Sequence, residues 1–292
     1  MQNVTVCLVC DGVSFVERYP ATFHGDWRDA VPYFLTERTK AVHGRIVCCY
    51  DCGFTFTSPQ FTATEYARIY EAVYLRGAGG SPNARFAALA RLVRRAEGRG
   101  RFLDFGCGNG AFLDAMPGYD AVGFEVAAYA PEGVVRRGRV VAGDILAENL
   151  TSAGLGAATF DFIVAWDVLE HLAAPAQQLR RLNTLLKPGG RLYLTLPNID
   201  SWIARISGEK WNMVLLEHLW YFGPKTLTAF LDRVGFSAKL IKPIGYPVEL
   251  TTVCLRMRQT YGDWVPSVPA FLAKAVVTLP IGLMFVRADK AI

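Results

Sequence analysis

The chain has 292 residues, 52% hydrophobic and 20% charged, enough to bury a sizeable core, so global disorder is excluded. Its 27 glycines and 15 prolines fall short of any collagenous or low-complexity composition. A net charge of +5 without a long basic run suits an anionic substrate or a membrane surface and carries no nucleic-acid signature.

Five of the seven cysteines fall in the first 52 residues, as Cys7-x-x-Cys10 and Cys48-Cys49-Tyr-Asp-Cys52-Gly53. An odd cysteine count and the lack of a charged-then-apolar leader pattern give a reducing, cytoplasmic compartment as the expectation. Each Cys-x-x-Cys pair has the knuckle spacing that lets two thiolates meet one tetrahedral Zn²⁺ at about 2.3 Å. The expected ligands are Cys7, Cys10, Cys49 and Cys52, in a structural site whose metal supplies much of the local folding energy. Cys48 competes with Cys49 for one position, and spacing alone leaves that choice open.

Helical spacing of apolar residues follows at 65–75 and 83–97. Segments 101–105, 120–124, 140–143, 160–166 and 191–196 read as strands, with helices from Ala111 and over 177–186, the latter stopped by Lys187-Pro-Gly-Gly190. Strands alternating with helices predict an α/β fold, a parallel sheet covered on both faces. Segments 236–243 and 249–257 are expected to close the sheet. The stretch 271–286 is almost wholly apolar but broken by Lys274, Pro280 and Gly282. A spanning helix needs about 20 apolar residues, so 271–286 is expected as a helix packed on the domain or a homodimer partner, or lying on a membrane surface.

Leu103-Asp104-Phe105-Gly106-Cys107-Gly108-Asn109-Gly110 lies between a strand and a helix. Glycines there let the backbone turn tightly, and the helix start offers unpaired N–H donors. Gly106-x-Gly108-x-x-Ala111 also satisfies the dinucleotide fingerprint. Asp104 discriminates, because a carboxylate at the strand end suits an amine-bearing or cationic ligand and repels a pyrophosphate. Glu125, at the next strand end, can accept ribose hydroxyls from either ligand.

These motifs, with Gly-Phe-Glu (123–125), Gly-Asp-Ile (143–145), Phe-Asp-Phe-Ile-Val-Ala-Trp-Asp-Val-Leu-Glu-His-Leu (160–172) and Leu-Lys-Pro-Gly-Gly (186–190), resemble the class I S-adenosylmethionine-dependent methyltransferases over residues 85–257. The resemblance implies a seven-stranded Rossmann-like sheet with S-adenosyl-L-methionine across the strands' C-terminal ends. Glu125, with Val126 beside it, would bind the ribose, Asp144 the adenine amine, and Ile145 the adenine ring. Asp104 and the loop Gly106, Cys107, Gly108, Asn109 and Gly110 would hold the methionine portion, and Trp166 and Asp167 would line the pocket. The segment 45–59 resembles the second knuckle of the zinc ribbon that precedes many bacterial sugar and natural-product methyltransferases. The following helix, with Tyr66, Tyr70 and Tyr74, resembles their aromatic link and gives Tyr74 a place at the active site. The expected division is a zinc ribbon at 1–60, a helical linker or cap at 61–98, the core at 99–258 with a lid insertion at 198–222, and an apolar helical segment at 259–292. Long sugar C-methyltransferases carry a further α/β domain after the core, for which the chain shows no counterpart, so the expectation leans to O-methylation.

Methylating a hydroxyl requires removal of its proton close to the methyl donor. Glu217-His218-Leu-Trp-Tyr-Phe222 resembles the segment bearing the catalytic Glu-His pair of the sugar methyltransferases, which makes His218, with Glu217, the first choice of base and His171 the second. Trp202, Trp211, Trp220, Tyr221 and Phe222 crowd the same insertion, as walls for a sugar ring or apolar acceptor or as the lid's own core. The expected activity is O-methylation of a small-molecule or sugar or glycan-precursor hydroxyl. The alternatives are a membrane lipid or quinone-like acceptor, with the protein at the inner face of the membrane, or C- or N-methylation of a natural product or nucleotide sugar.

Overall fold

The computed structural model describes residues 1–34, 42–74, 83–126, 140–147, 151, 154–251, 253–254, 258, 268–272 and 275–291. Its strands are β1 (Phe15–Tyr19), β2 (Ile46–Cys49), β3 (Thr55–Thr57), β4 (Arg101–Phe105), β5 (Asp120–Glu125), β6 (Val140–Ala142), β7 (Phe160–Trp166), β8 (Leu186–Pro197), β9 (Trp220–Tyr221), β10 (Phe236–Glu249) and β11 (Val276–Lys290). The helices are α1 (Trp27–Ala30), α2 (Ala63–Tyr74), α3 (Asn83–Ala96), α4 (Ala111–Asp114), α5 (Pro175–Leu185), α6 (Trp202–Ser207) and α7 (Pro224–Arg233).

Seven strands form the main sheet in the order β10-β11-β8-β7-β4-β5-β6. The pairs β4–β5, β5–β6, β4–β7 and β7–β8 are parallel. The central strands are near-continuous apolar runs because both faces are covered. Phe102, Phe162, Tyr193 and Phe285 point to one face, where α3 lays down Leu89, Ala90 and Val93 at helical spacing. Leu103, Ile163, Leu192, Leu194 and Met284 point to the other, against Leu179, Leu182 and Leu185 of α5 and Leu227, Phe230 and Leu231 of α7. Strand order reverses between β4 and β7, and in such sheets ligands bind beyond the strands' C-terminal ends at that reversal.

The seventh strand corrects two expectations. The partner of β10 is β11, not 249–257; among the described residues of that segment Glu249 is in a strand, and Leu250, Thr251, Val253 and Cys254 are helical. Residues 276–286, expected as part of a helix, lie in this strand, which runs antiparallel between β8 and β10. Leu283, Met284, Phe285, Val286 and Ala288 are buried on both faces of the sheet, so the run lacks the alternation that marks a half-exposed strand. Pro280 and Gly282 fall in a bulge, where the β10–β11 register shifts between Ile244 and Tyr246. Gly282 has φ +87°, and a Cβ there would press on Ser201 and Trp211, so the bulge is where α6 and the Trp211 indole close on the sheet. Trp211 Nε1 donates to Ile281 O at 3.0 Å. Lys274 lies outside the described residues. Among the described residues no helix is long and apolar enough to cross a membrane.

The second sheet, β1-β2-β3-β9, joins two regions expected to be separate. Its first three strands come from the cysteine-bearing segment, and β9 comes from the lid insertion. Phe54, Phe56, Trp220 and Phe222 pack together across this seam, with ring centroids 4.8–6.1 Å apart. The lid aromatics Trp211, Trp220, Tyr221 and Phe222 are therefore buried structure, while Trp202 is exposed.

Candidate active site

The glycine loop follows β4 directly. Gly106, Gly108 and Gly110 all have positive φ, which glycine adopts without strain. Gly106 also lies against Val168, where a Cβ would overlap, whereas a Cβ at Gly108 would meet nothing within 4 Å, so the loop faces open space there. Gly106 N and Cys107 N donate to Phe124 O, fastening the loop to the end of β5. Glu125 Oε2 accepts from Gly108 N at 2.9 Å, and Oε1 from Val126 N at 3.0 Å. Asp104 is 2% exposed, and its Oδ2 has no hydrogen-bond partner. Burial, with the nearby Glu125 charge second, pushes the Asp104 carboxyl well above the ordinary carboxylate range, and burial also raises Glu125. Two buried carboxyls beside an open glycine turn form a cradle suited to a ligand that brings hydroxyls and positive charge. Asp144 is exposed after β6, its Oδ1 accepting from Leu146 N, and Ile145 beside it is buried.

Beyond β7 the predicted residues divide. Trp166 turns into the core against Phe112 and Phe285, its indole nitrogen buried without a partner. Asp167 has φ +54°, an unusual conformation for a non-glycine residue, held by an ion pair with Arg85 and a 2.8 Å bond from Thr195 Oγ1. Arg85, only 4% exposed on α3, also donates to Thr195 Oγ1 at 3.0 Å.

The next turn brings the two histidines together. His171 and His218 meet edge to face with ring centroids 4.8 Å apart. One donor atom each from Glu170, His171 and His218 lie within 4.8 Å of one another. His218 Nδ1 lies 2.8 Å from Met213 O, and His171 Nδ1 lies 3.1 Å from Glu217 O. Each carbonyl requires an N–H, so both imidazoles carry hydrogen on Nδ1 and keep the Nε2 lone pair. Burial, with His171 second, holds His218 well below the ordinary imidazole range, and burial brings His171 down to about 4. Glu170, 1% exposed with Oε2 unpartnered, is pushed well above the carboxylate range, chiefly by burial.

Of the aromatic link, it is Tyr70 whose hydroxyl lies 3.4 Å from His171 Nδ1, while Tyr66 packs among Phe34 and Phe61. The Tyr74 side chain lies outside the described residues. Tyr70 stood in the tyrosine stripe and Glu170 next to His171, but neither was singled out. Arg85 was missed altogether, although an arginine four residues before Leu89 on the buried stripe was its signal.

The four cysteines predicted as a set are a set. Their sulfurs lie within 4.8 Å of one another, with Cys7–Cys52 at 3.6 Å and Cys10–Cys49 at 3.5 Å. Cys48 is outside it, its sulfur turned to Cys49 O. The cluster reaches the histidines through β3: Thr57 Oγ1 donates to His218 O and Thr57 N to Leu219 O, both at 2.9 Å.

Residues 82–240, over half the chain, match a family described as a methyltransferase domain; the cysteine cluster lies outside the match. The ubiquinone biosynthesis O-methyltransferase of Aeromonas salmonicida is 29% identical over 150 residues, 48% of this chain and 63% of that one. Its counterpart from Parvibaculum lavamentivorans is 34% identical over 125 residues, 40% of this chain and 47% of that one. The chain thus spans less than two thirds of either relative. The Burkholderia thailandensis 1,6-didemethyltoxoflavin-N1-methyltransferase, solved with 1,6-didemethyltoxoflavin and S-adenosylhomocysteine, shares the fold at a TM-score of 0.50 and 18% identity, covering 83% of this chain and 98% of that one. The glycine loop, the paired carboxyls and strands β4 to β8 of the main sheet all lie in the matched region, and the chain belongs to the methyltransferase domain family.

Proposed function

We propose that the protein transfers a methyl group from S-adenosyl-L-methionine to a hydroxyl of a small molecule, with His218 as the general base. The observation that carries the reading is the buried pair of imidazoles beyond β7, whose Nδ1 atoms are fixed on carbonyls and whose Nε2 lone pairs stay free. The cofactor, when bound, supplies the electrophilic methyl. Glu125 would take the ribose hydroxyls as a pure acceptor, Asp104 and the Gly106–Gly110 loop the methionine end, and Asp144 with Ile145 the adenine. His218 is neutral near pH 7 because burial opposes its charge, so it can accept the acceptor's proton as the oxygen attacks. Glu170 and His171 stand close enough to share that proton. The likeness to two ubiquinone biosynthesis O-methyltransferases supports oxygen as the atom methylated and a quinone-like acceptor as the alternative to a sugar.

The four thiolates suit one structural Zn²⁺, since a tetrahedron with bonds of about 2.3 Å has sulfur–sulfur edges of about 3.8 Å, close to the 3.5 and 3.6 Å pairs.

Calorimetric titration with S-adenosylhomocysteine tests the cofactor assignment. Hydrogen bonds to a charged group contribute roughly 1.5–3 kcal/mol, so Glu125→Ala should weaken binding about 10- to 100-fold. Unchanged affinity would remove Glu125 from the ribose. Transfer lost on chelation while the ribbon stays folded would instead make Glu170, His171 and His218 a cation site.

A further inference from the structure

We infer that the cavity between α3 and the β10–β11 hairpin is an anion subsite for the acceptor, taking a phosphoryl or carboxylate group carried on a small apolar body. The inference rests on the methyltransferase reading and adds the acceptor's chemical class. The cavity has a volume of about 310 Å³, with Arg85, Arg91 and Arg95 of α3 on one side and Ile244, Pro247 and Leu283 of the hairpin on the other. That volume suits one ring with its head group rather than a dinucleotide.

Three features point to an anionic occupant. Among the described residues no acidic side chain lines the cavity. Arg85 has its charge met by Asp167 and its face over the Tyr246 ring, 4.8 Å from the centroid, so it forms a fixed wall and leaves Arg91 and Arg95 as the cavity's unmet positive charge. Among the described residues no carboxylate pairs with Arg91 or Arg95, and Arg91 Nε donates to its own helix at Ala87 O. Guanidinium forks match the spacing of phosphate and carboxylate oxygens and bind them in pairs.

The cavity is also joined to the reaction centre. Thr195 lines it and is the same residue whose hydroxyl bridges Arg85 and Asp167, directly after β7. Its hairpin wall is shaped by the β10 irregularity at Ile244–Tyr246, where a side chain on Gly245 would overlap Thr278. An acceptor held here by its anion is therefore anchored one residue from the turn that leads to His171.

Phenyl phosphate, benzoate and neutral phenol, titrated by NMR into the full chain saturated with S-adenosylhomocysteine, test this. At least one anion should bind tenfold or more tighter than phenol, with the preference falling as salt is raised. The double variant Arg91→Ala/Arg95→Ala should erase the preference, Arg91→Lys/Arg95→Lys should restore part of it, and S-adenosylhomocysteine affinity should stay within about twofold in both. Preference for phenyl phosphate assigns a phosphorylated acceptor, and preference for benzoate a carboxylated one. Anions binding no better than phenol, a preference that survives the double alanine variant, or a parallel loss of S-adenosylhomocysteine affinity would each overturn the subsite. A wild-type protein that fails to bind S-adenosylhomocysteine overturns the methyltransferase reading instead, and the anion preference is then scored on the protein alone.

Discussion

Chelating the zinc proposed for the four-cysteine unit, or replacing Cys10 and Cys52 with serine, should abolish methyl transfer while S-adenosylhomocysteine still binds within about twofold of its original affinity. The reason is the route from the cysteines to the base. Cys49 ends β2, Cys52 ends the turn that leads to β3, and β3 pairs with β9 two residues after His218. Thr57 donates to the carbonyls of His218 and Leu219, so β3 fixes the backbone that carries the proposed base. The cysteine loops themselves bury few apolar side chains, Val9 among them, although the strands and helices around them pack Phe23, Val31, Phe34, Phe54, Phe56 and Phe61 into the core. A structural zinc contributes roughly 10–16 kcal/mol to folding in zinc-finger peptides, so its loss should loosen the two cysteine loops, including the turn between β2 and β3. The glycine loop and Glu125 hang instead on β4 and β5 in the main sheet, which does not depend on the thiolates. Zinc content, transfer rate and cofactor affinity followed together through chelation read this directly. Full activity in metal-free protein would show that the cysteine cluster does not position the base.

His218→Asn should lower kcat by about 10²- to 10⁴-fold, the usual contribution of a positioned general base, with cofactor affinity unchanged. Asparagine is chosen because its amide N–H can replace Nδ1–H at Met213 O while offering no basic nitrogen in place of Nε2. The pH behaviour separates a base from a merely structural histidine. In the wild type the folded imidazole sits well below its ordinary value, so the rate should stay level through neutral pH and fall only on acidification. Stability follows the same sign. A histidine buried neutral contributes fully above the unfolded value of about 6.5 and loses that contribution as pH falls toward the lowered folded value. Denaturant midpoints of His218→Asn should therefore decline less steeply from pH 6.5 to 4 than those of the wild type. If His171→Asn loses turnover while His218→Asn keeps it, the two histidines exchange roles.

Much of this site could be read from local spacing. The Cys-x-x-Cys pairs, the glycine turn between a buried strand and a helix, and carboxylates at two successive strand ends each need only a few residues to declare themselves. Cys49 over Cys48 needed the structure, because one residue along a strand reverses which face a side chain takes. The C-terminal strand was hidden for another reason. Burial on both faces of β11 from Leu283 to Val286 removes the alternation that marks a strand there, and Pro280 with Gly282 looked like helix breaks when they form a bulge. The joining of β9 to the cysteine-bearing sheet pairs Thr55 with Tyr221, a contact far too distant in the chain for any periodicity to announce. Arg85 and Tyr70 were obscured by the company they keep. Each lies on an amphipathic helix whose pattern speaks for packing, and their polar tips meet Asp167 and His171 only after folding.

The most direct test of methyl transfer through His218 is the incorporation of labelled methyl from S-adenosyl-L-methionine into a host metabolite extract partitioned between water and chloroform. Label should enter a hydroxyl-bearing compound in one of the two phases with the wild type and fall to background with His218→Asn. No label above the enzyme-free control, or equal label from both proteins, would contradict it.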